Sequence, residues 1–163
     1  LHGDTFTRGK GRFTPLQYRP SDELPSALYP LILTTGRNRY HFHTGTMTRK
    51  VEGLNALDPE ALLWVNPEDA ESMRISDGEK VEVASRRGSI EVKARVTDDI
   101  QKGVVFLPFH FAEASANILT NPALDPVCKT PEFKVCAVKV KKLRATTRTK
   151  KAEPLAQEAL PAE

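Results

Sequence analysis

Chemistry-bearing side chains are concentrated in one stretch, Leu33 to Arg49, LTTGRNRYHFHTGTMTR. It carries hydroxyls at Thr34, Thr35, Thr44, Thr46 and Thr48, guanidiniums at Arg37, Arg39 and Arg49, imidazoles at His41 and His43, and glycines at Gly36 and Gly45. Hydroxyls donate to phosphate or to a heterocycle edge, and forked guanidiniums suit phosphate oxygens. Glycine lets the backbone turn tightly or approach a ligand closely. The pattern points to an anion- or heterocycle-binding loop, and the bland alternative is an exposed basic loop, because no phosphate-loop signature is present. A second cluster, Phe109-His110-Phe111, follows another apolar run. His41, His43 and His110 invite metal ligation, yet no close carboxylate or cysteine pattern completes a set, so none is expected to hold a metal. Cys128 and Cys136 lack the CxxC pairing of zinc and iron-sulfur sites and read as buried or indifferent thiols.

The elements that position these groups follow from periodicity. Tyr29 to Leu33 is an apolar strand feeding the first loop, and Val104 to Leu107 is one feeding the second. Leu62 to Val65 reads as a buried strand with Trp64 in the core. Asn66-Pro67-Glu68-Asp69 is a helix start, with a capping amide, proline at the first helical position and acids that complement the dipole, so a short helix is expected to about Met73. Lys80 to Ser85 and Ser89 to Val96 alternate with period two around Arg86-Arg87-Gly88, which predicts a hairpin. Val51 to Asp58 predicts a short turn or helix, Ala112 to Leu119 a helical segment, and Val135 to Val140 a last strand. Short, evenly spaced strands with few helices predict a small closed or nearly closed β-barrel. No internal repeat survives residue-by-residue comparison.

At 163 residues and 39% hydrophobic the chain fits one soluble domain with tails. Residues 1–29, rich in glycine and proline, predict a largely irregular leading segment, 30–143 the barrel domain, and 144–163 a disordered basic and Ala/Glu-rich tail. Most of the basic surplus falls after Lys134, so the net charge of +3 belongs to the end of the chain. A nucleic-acid partner is not expected from that distribution. No apolar run approaches a bilayer span and no secretory core opens the chain, which points to a cytoplasmic protein without membrane contact. The first residue is Leu1, in polar sequence, as in a fragment of something longer.

An ordered set of motifs resembles a known family. GKGRF, ELPSALYPLILTTGR, YHFHTGTMTR, VNPEDAESMRISDGEKVEV, SRRGSIEVKARVTD, PFHFAEASANILTNPALDP and PEFKVCAVKV together, over roughly Phe6 to Leu143, resemble the C-terminal molybdopterin-dinucleotide-binding domain of molybdenum and tungsten oxidoreductases, and within them the formate dehydrogenase catalytic subunit. The resemblance implies a mainly β fold, a six-stranded double-psi β-barrel with short helices and flexible termini. It implies a bis(molybdopterin guanine dinucleotide) cofactor with molybdenum or tungsten, capped by this domain in an enzyme that oxidises formate to carbon dioxide. Thr35, Gly36 and Arg37 match the family loop that approaches the cofactor, and His41, His43, Thr44, Gly45, Thr46, Met47, Thr48 and Arg49 match its histidine-threonine segment. Phe109, His110 and Asn117 match a second loop, and Phe133 and Lys134 a third. By residue type, the amides of Gly36 and Gly45 would approach pyrophosphate, Arg37 and Arg49 would neutralise it, and Asn117 would pair with a heterocycle edge.

The family's metal-ligating (seleno)cysteine and its iron-sulfur cysteines belong to earlier domains and have no matching motif here. The chain alone is therefore expected to be inactive, with other domains of the same subunit and electron-transfer subunits as partners. Alternatives within the superfamily are a nitrate reductase catalytic subunit and the free-standing barrel subunit of formylmethanofuran dehydrogenase. From another class comes the double-psi barrel that binds peptides or adaptors, which has no reason to carry all three loops together.

Overall fold

The alternation of apolar residues produces six strands: β1 (Leu31–Gly36), β2 (Leu62–Val65), β3 (Lys80–Ala84), β4 (Ser89–Val96), β5 (Val104–Pro108) and β6 (Cys136–Lys142). The computed structural model describes residues 3–143, so the tail expected to be disordered, 144–163, lies outside the described residues. Residues 3–30 contain no helix or strand, only an isolated bridge between Phe6 and Gly9. This leading segment is fastened to the β3–β4 hairpin by Glu23, whose carboxylate accepts from both Arg86 and Arg87.

The strands close a barrel in the order β1-β5-β2-β4-β3-β6. Two neighbouring pairs are parallel, β1 with β5 and β2 with β4, and the other four are antiparallel. Advancing every strand by three, β1 to β4, β2 to β5 and β3 to β6, reproduces the order and the direction of every pair. The barrel is thus two-fold in topology, with two interlocked parallel pairs, which is the double-psi arrangement. Inside it, Leu33, Leu63, Val65, Val81, Val83, Val105, Leu107 and Val138 are fully buried, each worth about 1.5–3 kcal/mol in transfer from water.

Strand directions assign each connection to a rim. The ends of β1, β3 and β5 and the starts of β2, β4 and β6 share one rim, so residues 37–61, 85–88 and 109–135 all lie there. The opposite rim carries 66–79 and 97–103. Residues 37–61 contain a 3-10 turn (Thr48–Lys50) and α1 (Glu52–Leu57). Residues 66–79 contain α2 (Pro67–Met73), where Asn66 Oδ1 accepts from Glu68 N at 3.0 Å and Arg74 closes the helix in the left-handed region.

Three expectations change. Trp64 is not core: β2 alternates half-buried and buried, and Trp64 faces outward, its ring 5.1 Å from Phe106 with the Arg95 guanidinium 4.8 Å from its centroid. The wall is amphipathic at that position because Leu63 and Val65 already fill the interior. Ala112 to Leu119 forms two 3-10 turns (Ala112–Ala114 and Ala116–Ile118), not one helix. Finally, β1 runs through Thr34, Thr35 and Gly36, which sequence periodicity gives to the loop, because Thr35 and Gly36 pair with Leu107 and Pro108.

Candidate functional site

The end of β1 is where the three matched segments meet. Thr35 is buried, and its Oγ1 donates to the Phe133 carbonyl at 2.8 Å. Lys134 Nζ donates to the Thr35 carbonyl, and Phe109 N–H donates to the Gly36 carbonyl at 3.2 Å. A Cβ at Gly36 would stand 2.5 Å from the Phe106 ring, so the packing of the wall itself favours glycine there.

Two histidines join the loops. His110 is buried; its Nε2 accepts from Asn38 N–H at 2.7 Å and its Nδ1 meets the His43 carbonyl. One nitrogen facing a donor and the other an acceptor defines a neutral ring with the proton on Nδ1. Burial pushes the His110 pKa below the usual imidazole value, His41 and Arg37 push it the same way, and the His43 carbonyl opposes them. His41 is also buried, 5.4 Å from His110 between ring centroids. His41 Nε2 lies 2.7 Å from the Asp58 carbonyl and so carries the proton, while Nδ1 lies 3.2 Å from Thr48 Oγ1. That hydroxyl oxygen in turn accepts from Phe42 N–H at 3.1 Å. Every ring nitrogen of His41 and His110 is thus engaged within the protein. They position the loops, and among the described residues no group of three His, Cys, Asp or Glu is placed to hold a metal.

His43 is different: it is exposed, in the left-handed region at φ 52°, with its ring 6.1 Å from that of Phe109. Gly45 follows at φ 75°, where a Cβ would meet Arg49 at 2.9 Å and the His110 carbonyl at 3.2 Å. Arg49, assigned from sequence to pyrophosphate, is already paired. Its two terminal nitrogens donate to Glu113 at 2.9 and 2.6 Å, its guanidinium lies 4.7 Å from the Phe111 ring centroid, and the Glu113 carboxyl is held below its usual range by it. Only Arg49 Nε remains, buried and without a partner.

Thr44, Thr46 and Met47 are exposed, and no hydrogen bond engages their side chains among the described residues. Asn117 is exposed on the second 3-10 turn, whose Ile118 packs against Gly88 of the hairpin. It therefore shares the rim on the side of the β3–β4 hairpin. Arg37 is exposed, 5.9 Å from the Phe42 ring centroid, and has no carboxylate partner among the described residues. The available donors are thus the Arg37 guanidinium, the Thr44 and Thr46 hydroxyls, the Asn117 amide and the remaining Lys134 protons. That set fits a phosphate-bearing heterocycle. Sequence reasoning missed Asn38, Asp58 and Glu113. Asn38 and Asp58 pair with each other, Asn38 Nδ2 donating to both Asp58 oxygens at 2.8 and 3.1 Å. Their partners lie far along the chain, where no local pattern would announce them.

Comparison with known proteins places these loops in context. Residues 31–137 match the molydopterin dinucleotide binding domain. The chain is 54% identical over 145 residues to the F420-dependent formate dehydrogenase subunit alpha of Methanocaldococcus jannaschii, covering 88% of this chain and 22% of that protein. It is 51% identical over 135 residues to the F420-dependent formate dehydrogenase 1 subunit alpha of Methanococcus maripaludis, covering 83% and 20%. It is 45% identical over 119 residues to the assimilatory nitrate reductase catalytic subunit of Bacillus subtilis, covering 72% and 17%. The chain thus spans about a fifth of the length of these relatives. Among solved structures, the acetylene hydratase of Pelobacter acetylenicus superposes with a TM-score of 0.64 at 17% identity, over 77% of this chain and 21% of that one, a likeness of fold alone. No helix among the described residues is long and apolar enough to cross a membrane.

Proposed function

The chain belongs to the molydopterin dinucleotide binding domain family, and on that premise we propose that it caps the molybdopterin guanine dinucleotide cofactor of an F420-dependent formate dehydrogenase, as one domain of a longer catalytic subunit. The observation that carries this reading is the stitching of three sequence-distant segments at one rim: Thr35 to Phe133 and Lys134, Gly36 to Phe109, and Asn38 through His110 to His43. Other domains and electron-transfer subunits complete the proposed enzyme, and a cytoplasmic location is part of the same proposal. The leading segment supports a neighbouring domain, since Phe13, Leu16 and Tyr18 are 100%, 88% and 91% exposed, and apolar side chains on that scale call for cover.

When bound, the cofactor supplies the molybdenum or tungsten centre for two-electron oxidation of formate. This chain's residues bind and orient it. Arg37 and Lys134 offset phosphate charge, Thr44 and Thr46 donate through hydroxyls, and the exposed amide of Asn117 meets a heterocycle edge. His110, held neutral, fixes the spacing of the two loops and exchanges no proton. No residue here is assigned to the chemical step, so the isolated chain has no formate-oxidising activity. Nitrate reduction is the second reading, favoured by the 45% identical relative and placed behind formate oxidation by the higher identity of the formate dehydrogenases.

Titrating guanosine diphosphate into isotope-labelled chain, with amide shifts as readout, tests the reading. Half a site binds weakly, at about millimolar or roughly −4 kcal/mol, and the affinity falls with salt. Shifts are expected at Gly36, Gly45 and Asn117, and are expected to weaken in Arg37→Ala and Thr44→Val. Shifts confined to residues after Leu143, untouched by either substitution, would contradict it.

A further inference from the structure

The outer wall beside the rim holds a cleft that the rim reading does not use. Arg37, Arg39 and Arg95 line a cavity of about 280 Å³ together with Tyr40, Leu57, Asp58, Trp64 and Phe106. Three guanidiniums face one carboxylate, and Asp58 is engaged by Asn38 with both oxygens. Arg39 and Arg95 are exposed and, like Arg37, have no carboxylate partner among the described residues, although nearby Lys93 is paired with Glu60 at 2.8 Å. Arg95 is nevertheless held in place, its guanidinium 4.8 Å from the Trp64 centroid, with Trp64 itself packed on Phe106. A cluster of three guanidiniums, two of them over aromatic rings, whose one neighbouring carboxylate is already engaged by Asn38, is suited to bind an anion with little loss of side-chain freedom. Tyr40 and Leu57, 38% and 61% exposed, add an apolar shoulder for a flat ring.

We propose that this cleft is a binding site for a nucleoside phosphate, with Arg37, Arg39 and Arg95 on the phosphate oxygens and the ring against Tyr40 and Leu57. The volume approaches the roughly 300–1,000 Å³ of small-molecule sites. The site shares Arg37 with the rim but otherwise stands on different residues, so it holds whether or not the rim binds a pterin dinucleotide.

Trp64 is the sole tryptophan, and its indole N–H signal reports on the cleft alone. Guanosine diphosphate is expected to move that signal saturably, inorganic pyrophosphate to bind at least three-fold more weakly, and guanosine to leave the signal in place. Arg95→Gln weakens the titration at least five-fold; Arg39→Gln, farther from the barrel hydrogen bonds, gives the same loss if Arg95→Gln disturbs β4. Thr44→Val, which changes only the rim, leaves the indole titration intact. Rim amides that stay still while the indole titrates would overturn the rim reading and support this site. An indole signal unmoved at concentrations that saturate the rim amides, or moved equally by guanosine, or unaffected by both arginine substitutions, would overturn it, and pyrophosphate binding as tightly as the nucleotide would overturn the nucleoside assignment.

Discussion

The two rims of this barrel are related by the same two-fold that relates its strands, yet they are closed by different chemistry. At one rim Asp69, buried in α2, accepts the Gly103 N–H at 2.6 Å and so ties residues 66–79 to 97–103, with Asn66 Nδ2 donating to the Ile100 carbonyl at 2.8 Å beside it. At the other, His110 accepts the Asn38 N–H at 2.7 Å and ties 109–135 to 37–61, the connections that correspond by symmetry. A carboxylate closes the short loops and a neutral imidazole closes the long ones. The difference has a consequence for Arg37, whose charge reaches His110: a carboxylate at that position would pair with the guanidinium, whereas a neutral ring leaves it available to an outside anion. The scaffold is symmetric, and the donors proposed for the cofactor lie in the longer loops of one rim.

Removing each clasp tests this comparison most severely. His110→Ala is expected to cost about 3 kcal/mol, from a buried ring and two hydrogen bonds, and Asp69→Ala about 2 kcal/mol, from a charge-assisted bond to a backbone amide; urea unfolding measures both. The two losses should add, because the clasps sit at opposite ends of the barrel. Strong coupling between them would break the picture of independent rims.

Acid sharpens the contrast. The folded pKa of His110 is lowered from 6.5, so on acidification the unfolded chain takes up this proton first. The stability it provides is complete above pH 6.5 and is lost as pH falls through the lowered folded value. Relative to the parent, His110→Gln is expected to flatten the stability curve over that window, while Asp69→Asn leaves the His110 contribution in place. Chemical denaturation at successive pH values reads the slopes.

The glycines give a smaller, graded effect. Gly45 and Gly78 share nearly the same backbone, φ 75° and 73°, but a Cβ at Gly45 meets Arg49 and the His110 carbonyl whereas one at Gly78 meets nothing within 4 Å. Gly78→Ala therefore costs about 1 kcal/mol for the left-handed backbone, and Gly45→Ala about 2 kcal/mol once crowding is added. Equal losses would mean that the rim around Gly45 is loosely packed. Smallest of all are the ion pairs. Arg49→Gln is expected to cost about 0.5–1 kcal/mol, reduced by the exposure of Glu113, and Lys102→Gln, at the surface of the opposite rim, makes no measurable difference in the same unfolding assay.

Sequence patterning makes the strands legible because most of their length alternates a buried with a less buried side chain, β6 being the exception with Cys136, Ala137 and Val138 all buried, and the capped helix at Asn66 is legible because its signal is local. The closed barrel was accessible on the same grounds, while its double-psi topology came from family resemblance. The two-fold was hidden: corresponding strands run oppositely along the barrel and take equivalent places in its order, but they carry no repeated sequence, and a barrel interior accepts Leu, Ile or Val interchangeably. Trp64 misled because an aromatic between apolar neighbours reads as core, and nothing in LLWV shows which face turns inward. At the rim, residue types revealed the donors but not their allocation. Arg49 looks like Arg37 in sequence, and only the fold brings Glu113, 64 positions on, to pair with the first, while the second has no ion-pair partner among the described residues. His41 and His110, matched by resemblance to the cofactor loops, are engaged instead by backbone groups and the Thr48 hydroxyl, partners that carry no local sequence signature.

The central claim is that the rim proposed to bind the cofactor is preformed, its two long loops joined through a neutral His110. Nitrogen-15 NMR of the imidazoles across a pH titration tests it most directly. The account predicts that His110 carries its proton on Nδ1, with Nε2 as acceptor, and takes up its second proton only below pH 6.5. A His110 ring that titrates near 6.5, or that holds its proton on Nε2, would contradict it.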